Sequence, residues 1–196
     1  RGDTSTTCFD HWRFSQHPIY KTEKQPAPHT NEDDLIASGN SFMSSLQQER
    51  ITQPWPLSLA IKSLITLTAE AMDPTHTAEL FDTDFPDGDN GGRAFKVVYK
   101  GQEITLASYW ESACGRFGRS LPFNESQWSS IYSTVTRLNQ IHPQRKIPKA
   151  MTKFQEMVDY SHEKAESAMY NGITNHGTIT EEYEARCIEE TDYLIA

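Results

Sequence analysis

The 196-residue chain is short of positive charge, poor in cysteine and without a long apolar run. Its 18 Lys and Arg face 27 Asp and Glu, for a formal charge of −9 at pH 7. Nucleic-acid affinity is built chiefly from Lys and Arg that displace counterions from phosphates, so this balance argues against an extended nucleic-acid-binding face. Local basic clusters are confined to Arg116, Arg119 and residues 144–149. A small pocket in which metal ions supply the positive charge stays compatible with the composition. The 3 cysteines, Cys8, Cys114 and Cys187, show no CxxC or other close spacing, which argues against a Cys zinc site. One disulfide with a free thiol and three unpaired thiols both remain open.

No segment reaches the ~18–20 apolar residues needed to span a bilayer. The longest candidate, 57–67, is interrupted by Ser58, Lys62, Ser63 and Thr66. The first residues contain no apolar signal-peptide core, and the expectation is a processed chain or one cut from a longer sequence. Hydrophobic residues make up only 36%, and mean hydropathy is −0.66. Such a chain carries long polar loops or completes its surface against partners. Its length fits one domain over 1–196.

What is present reads as mostly helix. Asn31 or Asp33 is placed to cap a helix reaching Gln48, with Leu35, Ile36, Phe42, Met43 and Leu46 at helical spacing. Pro54 and Pro56 suit the first turn of a second helix, for which Leu57, Ala60, Ile61, Leu64, Ile65 and Thr68 predict one buried face. Long loops are expected at 21–30 and at 81–93, where Pro86, Gly88, Gly91 and Gly92 stand among four aspartates. Residues 94–99 and 103–106 form a small hairpin around Lys100-Gly101-Gln102. Helices follow over 105–114, 125–141, 149–170 and 180–194, the last capped by Thr180.

Against this order of elements, several motifs resemble the zinc-dependent single-strand nucleases, the fungal-type family with bacterial members that is related to zinc phospholipase C. Trp12-Arg13-Phe14 sits where that family has Trp-His-Phe/Tyr, and the helix headed by Asn31 follows as expected. LAIKSLITLTAEAMDPTH at 59–76 lies against the pattern LxFLxHxxGDxxQPLH. FPDGDNGGRAFKVV at 85–98 is the most specific match, to FPxGDxGGNxFxV. TLASYWES at 105–112 lies where the family reads NLHxxWD, and EKAESAMYNG at 163–172 resembles its late helix closed by Tyr-Xaa-Gly. The resemblance implies a mainly α, nuclease/phospholipase C-like multi-helix domain with one small β-hairpin.

It also implies three zinc ions held by imidazoles, carboxylates and an amino-terminal Trp, which activate a water for attack on phosphorus. The ligand positions depart from that pattern. Arg13, Thr66 and Ala107 stand where the family has histidines, and Glu70 and Glu111 replace aspartates. Only His76 is unchanged. A guanidinium at position 13 would repel zinc. The segment that supplies the family's Trp, another His and an Asp has no counterpart before Trp12, so both ends look cut.

The residual metal candidates are therefore His76, Glu70 and Glu111. The plainer reading makes His76 a hydrogen-bonded corner residue and sets the two glutamates on Arg13 or other polar groups. Asp82, Asp84, Asp87 and Asp89 lack EF-hand spacing and read as a turn-rich loop, in which Gly91-Gly92 serve backbone geometry. His11, His17 and His29 show no ligand spacing. Asn124-Glu125-Ser126 is a glycosylation sequon only in a eukaryotic secretory host, and Arg1-Gly2-Asp3 reads as accidental at a cut end.

Taken together these residues predict a non-catalytic nuclease-fold protein, a scaffold or interaction subunit of an extracytoplasmic assembly, without a cofactor. Trp55, Trp110, Trp128 and the late tyrosines are candidate anchors, with core burial the default for each. The alternatives are a zinc-dependent phosphodiesterase with a reduced site and a small-anion-binding module in which Arg13 contacts the anion.

Overall fold

Five short strands in two sheets and a set of helices make up the described residues of a computed structural model, which are 7–23, 32–47, 53–117, 123–141 and 151–195. Asn31, His29, Arg119 and residues 144–149 fall outside the described residues, as does most of the 21–30 loop. A 3-10 turn over Thr7–Arg13 leads into β1 (His17–Tyr20). Helix α1 (Leu35–Gln47) is capped by Asp34, whose Oδ1 accepts the Ala37 N–H at 2.9 Å, rather than by Asn31 or Asp33.

Helix α2 (Pro54–Ala71) starts on its prolines as expected, but presents a different face. Ala60, Leu67 and Ala71 are buried, whereas Ile61 and Ile65 are 45% and 68% exposed and Thr68 is exposed. The reason lies in its composition: from 54 to 69 only Lys62 is charged, so apolar residues run nearly all round the helix and periodicity does not select the inward side. Trp55 at 75% and Trp128 at 57% exposure also depart from core burial, which only Trp110 keeps.

After α2 the one-turn helix α3 (Pro74–Thr77) runs directly into β2 (Ala78–Phe81), which pairs in parallel with β1 from His17 opposite Ala78 to Tyr20 opposite Phe81. The hairpin is formed by β3 (Lys96–Tyr99) and β4 (Gln102–Thr105), and β5 (Gly177–Thr178) adds a third, parallel strand beside β3. Helix α4 (Leu106–Glu111) follows β4 without a loop, capped by Thr105. Then come α5 (Glu125–Ile141), α6 (Phe154–Lys164) with a π-helical turn over Ala165–Met169, and α7 (Glu181–Ile195), whose Tyr183 N–H donates to Thr180 Oγ1 at 3.1 Å. The architecture is mainly α with a few short strands.

Two apolar clusters hold these elements. Leu35, Leu67, Ala71, Phe154 and Val158 join α1, α2 and α6. Gly39 permits this approach, because a β-carbon there would lie 2.5 Å from the Phe154 ring. The larger cluster runs from Leu80, Phe95 and Val97 through Leu106, Tyr109 and Trp110 to Met169, Tyr170 and Tyr183. A disulfide between Cys114 and Cys187 ties the end of α4 to α7, which settles the pairing left open by the sequence. No described helix is long and apolar enough to cross a membrane.

Candidate functional site

The site is assembled where four chain segments converge. Asp73 starts α3 by accepting the Thr75 N–H at 2.9 Å and its hydroxyl at 2.8 Å, and Pro74 occupies the first helical position. This tight corner buries His76, only 2% exposed, and sets its ring 4.5 Å from that of Phe14. The Ser15 N–H donates to the His76 carbonyl at 3.0 Å, which fastens the segment carrying Arg13 to the same corner. Glu70 arrives from the last turn of α2 and Glu111 from the end of α4.

Gly91 and Gly92 bring the fourth segment. Both have positive φ, at 61° and 81°. A β-carbon on Gly91 would collide with the Thr75 carbonyl, and one on Gly92 would lie 2.7 Å from Met169 and 3.1 Å from the Ala107 nitrogen. These glycines let the loop pass close to α3 and α4, and the Ala107 N–H donates to the Gly92 carbonyl at 3.0 Å. The loop is anchored from below by Asp89, fully buried, which accepts the Leu80 N–H at 2.9 Å and the Tyr170 hydroxyl at 2.8 Å. Burial, against these donors, raises its pKa to about 6.

The result is a chain of alternating charges. Arg13 Nε donates to Glu70 Oε1 at 2.7 Å. The other Glu70 oxygen pairs with His76 Nδ1. On the far side of the imidazole, Arg93 Nη2 lies 3.1 Å from His76 Nε2 and donates to Glu111 Oε1 at 2.8 Å, with that glutamate oxygen 3.7 Å from the same ring nitrogen. Arg13 and Arg93 flank the Phe14 ring, with guanidinium carbons 6.0 and 5.1 Å from its centroid.

Electrostatics follow this order. Burial works to lower the His76 pKa, but Glu111 and Glu70 overcome it and hold the imidazolium to about 9. Burial pushes the Glu70 carboxyl up, and His76 and Arg13 reverse that to leave it below its ordinary value. Glu111 is lowered by His76, against burial and with help from Arg93. Asp73 is raised by burial.

The structure thus brings Arg13, Glu70, His76 and Glu111 together. Ala107 is buried with its N–H on the Gly92 carbonyl, and Thr66, exposed on α2, lines a groove that Arg13 shares. Two members were missed from sequence. Arg93 stands at the Asn of the FPxGDxGGNxFxV pattern, so a new cation beside the site was readable in the motif itself. Asp73 likewise stands at the Gln of the QPLH end of the pattern, so its departure was readable there too.

The donors do not converge. Glu70 and Glu111 address opposite nitrogens of one imidazole, and each carries a guanidinium on an oxygen. Among the described residues no group of three or more His, Cys, Asp or Glu is arranged to hold a metal ion. Comparison with protein families matches the S1/P1 nuclease family over residues 1–196. Comparison with curated proteins finds no significant match.

Proposed function

The chain belongs to the S1/P1 nuclease family, and from that premise we propose that it is a non-catalytic member, in which guanidinium groups neutralise the carboxylates and which serves as a scaffold or interaction subunit of an extracytoplasmic assembly. The observation that carries this reading is the pair of contacts Arg13 to Glu70 at 2.7 Å and Arg93 to Glu111 at 2.8 Å. Charge-assisted bonds of this kind are short and strong, and they fall on the two carboxylates that the resemblance makes zinc ligands.

The family's zinc chemistry needs neutral imidazoles and free carboxylates. Here the two glutamates raise the imidazole pKa to about 9, both carboxylates are paired with guanidiniums, and the Thr66 and Ala107 positions offer no imidazole. These residues do not fit a three-zinc centre.

Exposed Trp55 and Ile65 on α2, and Trp128 and Tyr132 one turn apart on α5, are the surface apolar side chains that a role in protein contacts draws on. The Cys114–Cys187 disulfide supports an oxidising compartment. A second reading, a metal-dependent phosphodiesterase with a reduced site, draws on the adjacency of His76 to Glu70 and Glu111. A third, a small-anion module, draws on the half-exposed guanidinium of Arg13.

Elemental analysis of the purified full chain, paired with single-stranded nucleic acid hydrolysis in added zinc, separates these. The expected result is zinc far below one ion per chain and no hydrolysis above a mock preparation. Near-stoichiometric zinc with hydrolysis abolished by His76→Ala would sink the non-catalytic reading in favour of the second.

A further inference from the structure

Outside the charged cluster, the 3-10 turn, α1 and α2 enclose a groove of about 470 Å³. Its walls are Trp12, Phe42, Leu59 and Leu67, with the Trp12 and Phe42 rings edge to face at 5.6 Å. Arg13 and Lys62 also line it, and among the described residues no acidic one does. In a chain of net charge −9 this is a locally cationic rim over an apolar floor. Lys62 makes no ion pair among the described residues, and Arg13 commits its Nε to Glu70 while its side chain stays 53% exposed. From Leu59 to Leu67 the helix advances about 12 Å, which sets the length of apolar chain the groove accommodates.

We propose that this groove binds an amphipathic carboxylate, with an unbranched apolar tail along Leu59, Leu67 and the Trp12–Phe42 pair and its acidic head between Arg13 and Lys62. The size falls in the ordinary range for small-ligand sites, and a few polar groups at one end of an apolar cleft are what fixes orientation in such sites. The two cations are matched to one negative charge, and the walls supply the area that a free anion would not use. The inference does not depend on whether the charged cluster holds metal, and its test needs no turnover.

Decanoate below its micelle threshold is titrated into the full chain, with the indole N–H of Trp12 followed in ¹H–¹⁵N spectra. A saturable shift of Trp12 is expected, with Trp55 and Trp128 unmoved. Decan-1-ol and decylammonium, of equal tail length, should bind at least about tenfold more weakly, as should Lys62→Glu, because each removes or reverses a charge-assisted contact. Leu59→Ser, which adds no charge beside Lys62, tests the tail independently of the head, and both variants lie on exposed positions whose spectra elsewhere report folding. No saturable shift, equal binding of the alcohol, or decanoate affinity unchanged in both variants would each overturn the proposal.

Discussion

At the scale of single residues, the side chain that organises the site is His76. Its pKa is raised in the folded chain from 6.5 to about 9, so its stabilising contribution is complete below the unfolded value and fades as pH rises through 9. Glu70 and Glu111 are lowered, and their contribution is present above the ordinary glutamate pKa and fades as pH falls. Thermal stability should therefore crest between these limits and fall from pH 6.5 to 9 by an amount on the order of 2–3 kcal/mol that His76→Gln removes. Parallel melting curves of the wild type and this variant would decide it; equal slopes above pH 7 would show that His76 is not held as imidazolium. Arg13, Glu70 and Glu111 stood out in the sequence because each departs from the family pattern at a ligand position. Arg93 departs from it too, but outside the ligands, and only the Gly91-Gly92 backbone brings that side chain round to Glu111.

At the scale of elements, helix positions were legible where prolines and caps punctuate the chain, as at Pro54 and Thr180. The buried face of α2 was not, because one lysine is too little polarity to mark the solvent side. Strands β1 and β2 were also unread: each has four residues, too few for a period, and their pairing joins segments about 60 positions apart. Asp89 holds β2 to the loop that delivers Arg93. Asp89→Ala leaves the Leu80 N–H and Tyr170 hydroxyl without their acceptor in the core and should cost about 3 kcal/mol in denaturant unfolding. The disulfide closes a separation of 73 residues. On the chain-entropy view, Cys187→Ala should cost about 4 kcal/mol, read as a lower midpoint with most of the loss reproduced by reducing agent on the wild type.

For the whole molecule, the distinction that matters is between a fold stabilised by metal and one stabilised by its own charges. A bound ion adds to stability in proportion to its affinity, so a zinc-loaded member loses melting temperature when a chelator removes the metal. On the non-catalytic reading proposed above, the place of that ion is taken by Arg13, Arg93 and His76 facing Glu70 and Glu111, a neutralisation that no chelator reaches. Salt reaches it only in part, since Glu111 and Arg13 are 41% and 53% exposed while Glu70 is 13% and His76 2%. Excess chelator should therefore leave the melting temperature of freshly purified protein unchanged, whereas raising salt from about 0.1 to about 1 M should lower it slightly through the exposed pairs. Differential scanning calorimetry under the two treatments distinguishes the cases. A clear drop on chelation, restored by zinc, would mean that the guanidiniums move aside for a metal, and the molecule would then be a conventional member of its family with an internal competitor at each carboxylate.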